Sequence, residues 1–174
     1  MDFRKLTTKD SGALEHLIAI TENNLWHEHH WLPITDASRD NFFNEDWTHF
    51  YGLWDGGKLV GAIALFYNEN EFGESVEELG GLEGKIAEAG RLMVHPDYRG
   101  QGLGNKLMEE LVKVADGQQL DYLVATVHPT NTPSLCVVRY AGFEQKLTFT
   151  KDNGYLRHVF VYEMCKKLHP MYLV

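Results

Sequence analysis

The chain of 174 residues has room for one domain with a buried core, and its 44% hydrophobic and 24% charged content is ordinary for a globular protein. A formal net charge of −9 excludes the basic surface of a general nucleic-acid binder and favours cationic partners, although acidity also serves solubility alone. Cys136 and Cys165 have no metal-ligand spacing, MDFRKLTTKD has no apolar leader, and no run reaches membrane-spanning length, so the expectation is a reduced, cytoplasmic protein without a membrane partner.

In chain order, Asp2–Thr7 alternates polar and apolar residues and predicts a first strand. Thr8-Lys9-Asp10-Ser11 supplies N-cap residue types, and Ala13, Leu14, Leu17, Ile18 and Thr21 follow at helical spacing, predicting a helix over Ser11–Asn23. The next segment is aromatic and irregular, with a partly helical stretch expected over Thr35–Asn44. Its cluster His27-Glu28-His29-His30 raises the question of a metal. No second group of ligands accompanies it, and neighbouring histidines on one short segment rarely all face one ion, so no metal is expected.

Phe50–Trp54 and Lys58–Tyr67 predict strands joined through Asp55-Gly56-Gly57, a hairpin turn. Asn68–Gly84 is rich in glutamate and glycine and lacks core periodicity. It is expected as a solvated loop, with a short helix near Ser75–Leu79, or as an acidic rim that attracts substrate. Lys85–Val94 predicts a strand. Leu103, Leu107, Met108, Leu111, Val114 and Ala115 then predict an amphipathic helix to Asp116, closed by Gly117. Asp121–Val127 reads as a buried strand, so strand, helix and strand imply a right-handed crossover with two parallel strands. A short helix over Ser134–Tyr140 follows Pro133. Glu144–Lys151 and Tyr155–Cys165 form a last hairpin about Asp152-Asn153-Gly154. No repeat or linker interrupts the chain, and the sum is one α/β domain over residues 1–174 with a mixed sheet.

Between the third strand and the long helix lies Met93–Gly104, MVHPDYRGQGLG. Pro96 stops the strand, and the glycines let backbone approach an anion at the positive end of the helix dipole. An ordinary β–α turn would also use glycine here, for its φ angles.

Arg99-Gly100-Gln101-Gly102-Leu103-Gly104, the later Asn131 and the pair Gly142-Phe143 occur together in the order of one known family. The chain resembles the GNAT family of N-acetyltransferases from Phe50 to Cys165, and its first strand and helix fit that family's order. The resemblance implies an α/β (α+β) fold whose mixed central sheet is splayed into a V between two parallel strands, with flanking helices. It implies acetyl-CoA as donor and co-substrate, an amine as acceptor, and direct attack in a ternary complex; a homodimer stays open.

By the same resemblance, backbone of Leu92, Met93 and Val94 would bond the acetyl carbonyl and pantetheine arm. Arg99, Gly100, Gln101, Gly102, Leu103, Gly104 and Asn105 would hold the pyrophosphate, with Asn131 and Ser134 along the pantetheine wall. The chain also departs from the family. Val138 stands where many members have an acidic Tyr, with Tyr140 on a different side of the helix, and Thr126 stands where some have a basic Glu. Glu88, on a strand position where other members have a Glu, and His128, beside Asn131, are the candidates for the base; His95 is a third. Strand alternation gives Glu88 the parity of Gly90, Leu92 and Val94. The acidic loop and net charge favour a small cationic amine such as a polyamine, aminoglycoside or amino-acid-like amine. The alternatives are a protein or peptide acceptor, or an acyl-CoA-binding module without catalysis.

Overall fold

A computed structural model describes residues 1–164; Cys165 and the tail lie outside the described residues. Seven strands form one mixed sheet: β1 (Asp2–Lys5), β2 (Thr48–Asp55), β3 (Lys58–Phe66), β4 (Ile86–Val94), β5 (Tyr122–Val127), β6 (Glu144–Thr150) and β7 (Leu156–Glu163). Their spatial order is β1-β2-β3-β4-β5-β7-β6, with β4 and β5 the parallel pair and every other neighbour antiparallel. Five helices join them: α1 (Ser11–Glu22), α2 (Asp36–Asp40), α3 (Glu69–Glu78), α4 (Leu103–Gly117) and α5 (Thr132–Tyr140).

Each sheet face carries its own core. On one face α4 and α5 bury Leu103, Leu107, Leu111, Leu135 and Val138 against Ile63, Leu65, Ala87 and Ala89. On the other, α1 buries Leu14, Leu17 and Ile18 against Phe50, Ala62, Ala64 and Phe66. The N-terminal entry into α1 is fixed by Asp10. Its carboxylate accepts from the Arg4 guanidinium at 2.8 and 2.9 Å and from the Thr7 N–H at 2.8 Å, and these bonds hold it well below the usual carboxylate range.

Two details of β4 and β5 shape everything that follows. The parallel ladder has three rungs, Ile86–Tyr122, Ala87–Leu123 and Glu88–Val124, and beyond them the two strands are no longer partners. Meanwhile β4 stays paired with β3 as far as Val94, and β5 with β7 as far as Val127. The sheet therefore opens between its two middle strands, as the family resemblance implies. In addition, β4 contains a bulge. Ala64 pairs with Gly90 but Ala62 with Met93, so Arg91 and Leu92 together oppose Ile63, and Arg91 adopts a φ of +50°. The extra residue reverses the alternation. Ala87 and Ala89 face α4 before the bulge, and Leu92 and Val94 face it afterwards. Glu88 thus shares the α1 face with Met93 rather than pointing with Leu92 and Val94, contrary to simple alternation.

Two other segments also differ from expectation. The acidic stretch is not a solvated loop: Asn68 caps it by accepting from the Asn70 N–H at 2.9 Å, and α3 buries Phe72 and Ser75. Glu69, Glu77 and Glu78 face outward, Glu71 and Glu74 are half-buried, and this run of carboxylates hid the buried Phe72 and Ser75. Conversely, Thr35–Asn44 shortens to α2, and a single 3-10 turn, Glu28–His30, occupies the histidine cluster. The long helix runs through Gly117, and Gln119, with φ +58°, is the left-handed residue that follows it. Because Phe72 is 5% exposed, Phe72→Ala should destabilise the protein by about 3–5 kcal/mol in denaturant unfolding. A residue in a solvated loop would cost below about 0.5 kcal/mol.

Candidate active site

The opening between β4 and β5 is the mouth of a cleft of about 550 Å³ that reaches both faces of the sheet. On the α4 side it is walled by Leu92, Val94, the glycine turn, the first turn of α4, and α5. On the α1 side it is walled by Thr21, the segment around Trp31, Glu71 of α3, Glu88, Arg91, Thr126 and Arg157.

The glycine turn arises locally from its sequence. Pro96 starts a 3-10 turn over Pro96–Tyr98, and the His95 ring accepts from the Asp97 N–H at 3.3 Å. Gly100 and Gly102 then take φ of +75° and +76°, and Gly102 is the N-cap of α4. As glycine, Gly102 offers no side chain to cap the helix, so the first-turn N–H groups stay available at the positive end of a 15-residue helix. A Cβ at either glycine would meet nothing within 4 Å, so this cradle is open. Gly104 serves another purpose, since a Cβ there would come to 3.1 Å from the Val137 side chain of α5, tighter than ordinary contact. Leu92, Met93, Val94, Arg99, Gly100, Gly102, Leu103, Gly104, Asn105, Asn131 and Ser134 all line the cleft. Gln101 is exposed and does not border it. Asn131 also caps α5, its Oδ1 accepting from the Ser134 N–H at 3.3 Å, which leaves its NH₂ for the cleft. Val138 is a buried cleft residue, and Tyr140 is 67% exposed on the outer side of α5.

Glu88 stands where the strands part. Its Oε2 has no hydrogen-bond partner, and burial pushes its carboxyl up to about 7. The charged groups facing it come from every neighbouring wall. Lys151 beyond β6, Arg91 of β4 and Arg157 of β7 favour its ionisation, while Glu71 of α3 opposes it. His128 is differently occupied. Its Nδ1 accepts from the Thr130 N–H at 3.2 Å, so the neutral ring carries its proton on Nε2. Thr130 Oγ1 also lies within hydrogen-bond distance of both His128 and His30. The His27, His29, His30 and His128 rings gather at centroid separations of 5.2–6.2 Å. Burial, then the His27 imidazole and Arg157, lower His30; burial, then Arg157 and the imidazoles of His30, His27 and His29, lower His128. Among the described residues no group of His, Cys, Asp or Glu has an arrangement that holds a metal. His95 is buried, is committed to its turn and does not border the cleft.

Arg91 and Arg157 have no forecast in the sequence reading. Arg157 alternates with Val159 and Val161 on one strand face, so a charge in an apolar row was the available signal. Arg91 had none, because its position depends on the bulge.

The family model described as Acetyltransferase (GNAT) family matches residues 15–143. A curated relative, the L-methionine sulfoximine/L-methionine sulfone acetyltransferase of Pseudomonas aeruginosa, is 25% identical over 120 residues, covering 69% of this chain and 64% of the relative. The match thus spans less than two thirds of that protein's length. The crystal structure of the ribosomal-protein-S18-alanine N-acetyltransferase from Escherichia coli superposes with a TM-score of 0.71 at 17% identity, over 98% of both chains. The ribosomal-protein-alanine N-acetyltransferase from Brucella melitensis gives 0.68 at 22% identity, over 94% of this chain and 100% of that one. At such identities these two likenesses concern the fold alone. With the split sheet, the open glycine cradle and the family match over most of its length, the chain belongs to the GNAT acetyltransferase family.

Proposed function

We propose that this protein transfers an acetyl group from acetyl-CoA to a small primary amine by direct attack in a ternary complex. The observation that carries the reading is the pair of facing features at the split: an uncapped helix N-terminus on one side, and on the other a buried carboxylate without a partner.

The α4 side fits the donor. N–H groups from Arg99 to Gly104, with Asn105, would hold the pyrophosphate. The β4 edge at Leu92, Met93 and Val94, free of β5, would bond the acetyl carbonyl and pantetheine arm. Asn131 and Ser134 would form the wall along that arm. The thioester supplies the acyl group. A strand-edge N–H is a fixed donor for the charge that develops on its oxygen. The acceptor arrives from the α1 side as an ammonium ion, and Glu88 takes a proton from it, directly or through one water, to free the nitrogen lone pair. His128, with Nδ1 committed and Nε2 protonated, is second to Glu88 for that role. The Pseudomonas aeruginosa relative is named for two small-molecule acceptors, which supports a small amine over a peptide.

Thiol release from acetyl-CoA should accompany turnover of small primary amines and stay at background with N-terminal peptides. Turnover of peptides alone would replace the small-amine reading. Glu88 must be ionised to act, so kcat should fall as pH drops through about 7. Glu88→Gln should remove that limb and lower kcat by about 10²–10⁴-fold. A variant pH–rate profile matching wild type would remove Glu88 from the mechanism. Gly102→Val forces a β-branched residue to φ +76° and puts its side chain in the cradle, so calorimetry should show CoA affinity reduced by at least about tenfold.

A further inference from the structure

Two cations, the buried Arg157 and the half-buried Arg91, stand in the acceptor half of the cleft, and neither forms an ion pair among the described residues. Arg157 is 2% exposed. Its guanidinium donates to the carbonyls of His29 at 2.8 Å and Leu156 at 2.7 Å, and it lies 5.5 Å from the Tyr155 ring centroid. Arg91 donates to the carbonyls of Leu32 and Pro33 and lies 4.7 Å from the Trp31 ring centroid. No carboxylate among the described residues comes within ion-pair distance of either; Glu88 and, for Arg91, Glu71 and Glu22 act on them from further away. Burial brings Arg157 down to about 10, so it remains charged at neutral pH.

Such a charge is costly in a dry site unless an anion meets it. The two carbonyls offset part of that cost and fix the guanidinium in place, yet they use fewer donors than the group has. Both arginines border the cleft, and both are near enough to Glu88 to favour its ionised form. Glu88 and Arg157 lie on the same sheet face, so an incoming molecule would meet a proton acceptor and a fixed cation together. Leu25, Trp26, Trp31, Leu32 and Phe66 give this half apolar surface for a side chain, beside the polar Thr21, Glu71 and Thr126.

We propose that the acceptor is an α-amino acid with an apolar side chain, its carboxylate bound by Arg157 with support from Arg91 and its amine facing Glu88. The proposal rests on the amine-acetylation reading above and names its substrate class. A polyamine or aminoglycoside would bring further positive charge to the two guanidinium groups. A protein N-terminus would bring an amide where these groups require an anion. In the transfer, the ammonium gives one proton to Glu88, and the nitrogen attacks the thioester carbon. The C–N bond forms and the C–S bond breaks, with its electron pair leaving on sulfur. The nitrogen loses its second proton and the CoA thiolate takes one up. The products are the N-acetyl amino acid and CoA, with one proton released overall.

The test measures thiol release for the proteinogenic L-amino acids, adding the amides of leucine, methionine and phenylalanine and the decarboxylated amines isoamylamine and phenethylamine. Free leucine, methionine or phenylalanine should exceed its amide or decarboxylated partner by at least about 100-fold in kcat/KM, mainly through KM. Arg157→Gln should shrink that preference to a few-fold, and Arg157→Lys should restore part of it. Wild-type protein that turns over amides, decarboxylated amines or spermidine as well as the free acids overturns the carboxylate site and leaves amine acetylation standing. Turnover confined to polar amino acids, or a preference unchanged in Arg157→Gln, also overturns the proposal. No turnover of any amine or peptide by protein that binds CoA overturns the acetyl-transfer reading itself.

Discussion

Parting β4 from β5 is the constraint on which the rest of the molecule depends. Two strands in the middle of a sheet leave N–H and C=O groups facing each other across a gap, and buried backbone groups are rarely left without partners. The arrangement holds because each strand keeps its other neighbour, β4 with β3 and β5 with β7, while α4 and α5 brace one face. The vacant edges suit an occupant with amide groups of its own, and the pantetheine arm is such a molecule. One interruption in pairing thus provides a binding edge, access from both sides of the sheet, and a site for Glu88 at the last shared rung.

Charge is sorted by depth. The net charge of −9 resides largely at the surface, where α3 turns most of its glutamates outward. Inside the cleft the signs are mixed, with Arg91 and Arg157 facing Glu71 and a Glu88 carboxyl that burial holds near 7. Overall acidity is therefore a poor guide to what enters this cleft. The two arginines also bind carbonyls from His29 to Pro33, so they fasten the N-terminal segment over the same half-site. Packing of that segment and electrostatics of the site are thereby coupled.

The sequence made the donor side legible because its signals are local. Proline ends a strand, glycines turn it, an amphipathic repeat starts a helix, and all lie within a short span of chain. The hairpins at Asp55-Gly56-Gly57 and Asp152-Asn153-Gly154 were readable for the same reason. The acceptor side depends on tertiary facts. Only the pairing with β3 shows that β4 gains a residue at Arg91, and without it period-2 alternation assigns Glu88 to the wrong face. In α3, composition concealed the helix, since Phe72 and Ser75 are its buried residues amid glutamates. Arg157 stood between Leu156 and His158, and its immediate neighbours did not disclose that its side chain turns inward.

The bulge at Arg91 gives one strand two jobs on opposite sides of a single layer. Ahead of it β4 aims a carboxylate at the α1 face; behind it the same strand turns Leu92 and Val94 towards α4. Chain length at this point therefore acts as a phase setting between the carboxylate on one face of the sheet and the apolar cleft wall on the other. Removing one residue there, with no change elsewhere in composition, would put the two faces out of phase by half a pleat. Insertions and deletions in this short stretch should accordingly be far less tolerated than substitutions.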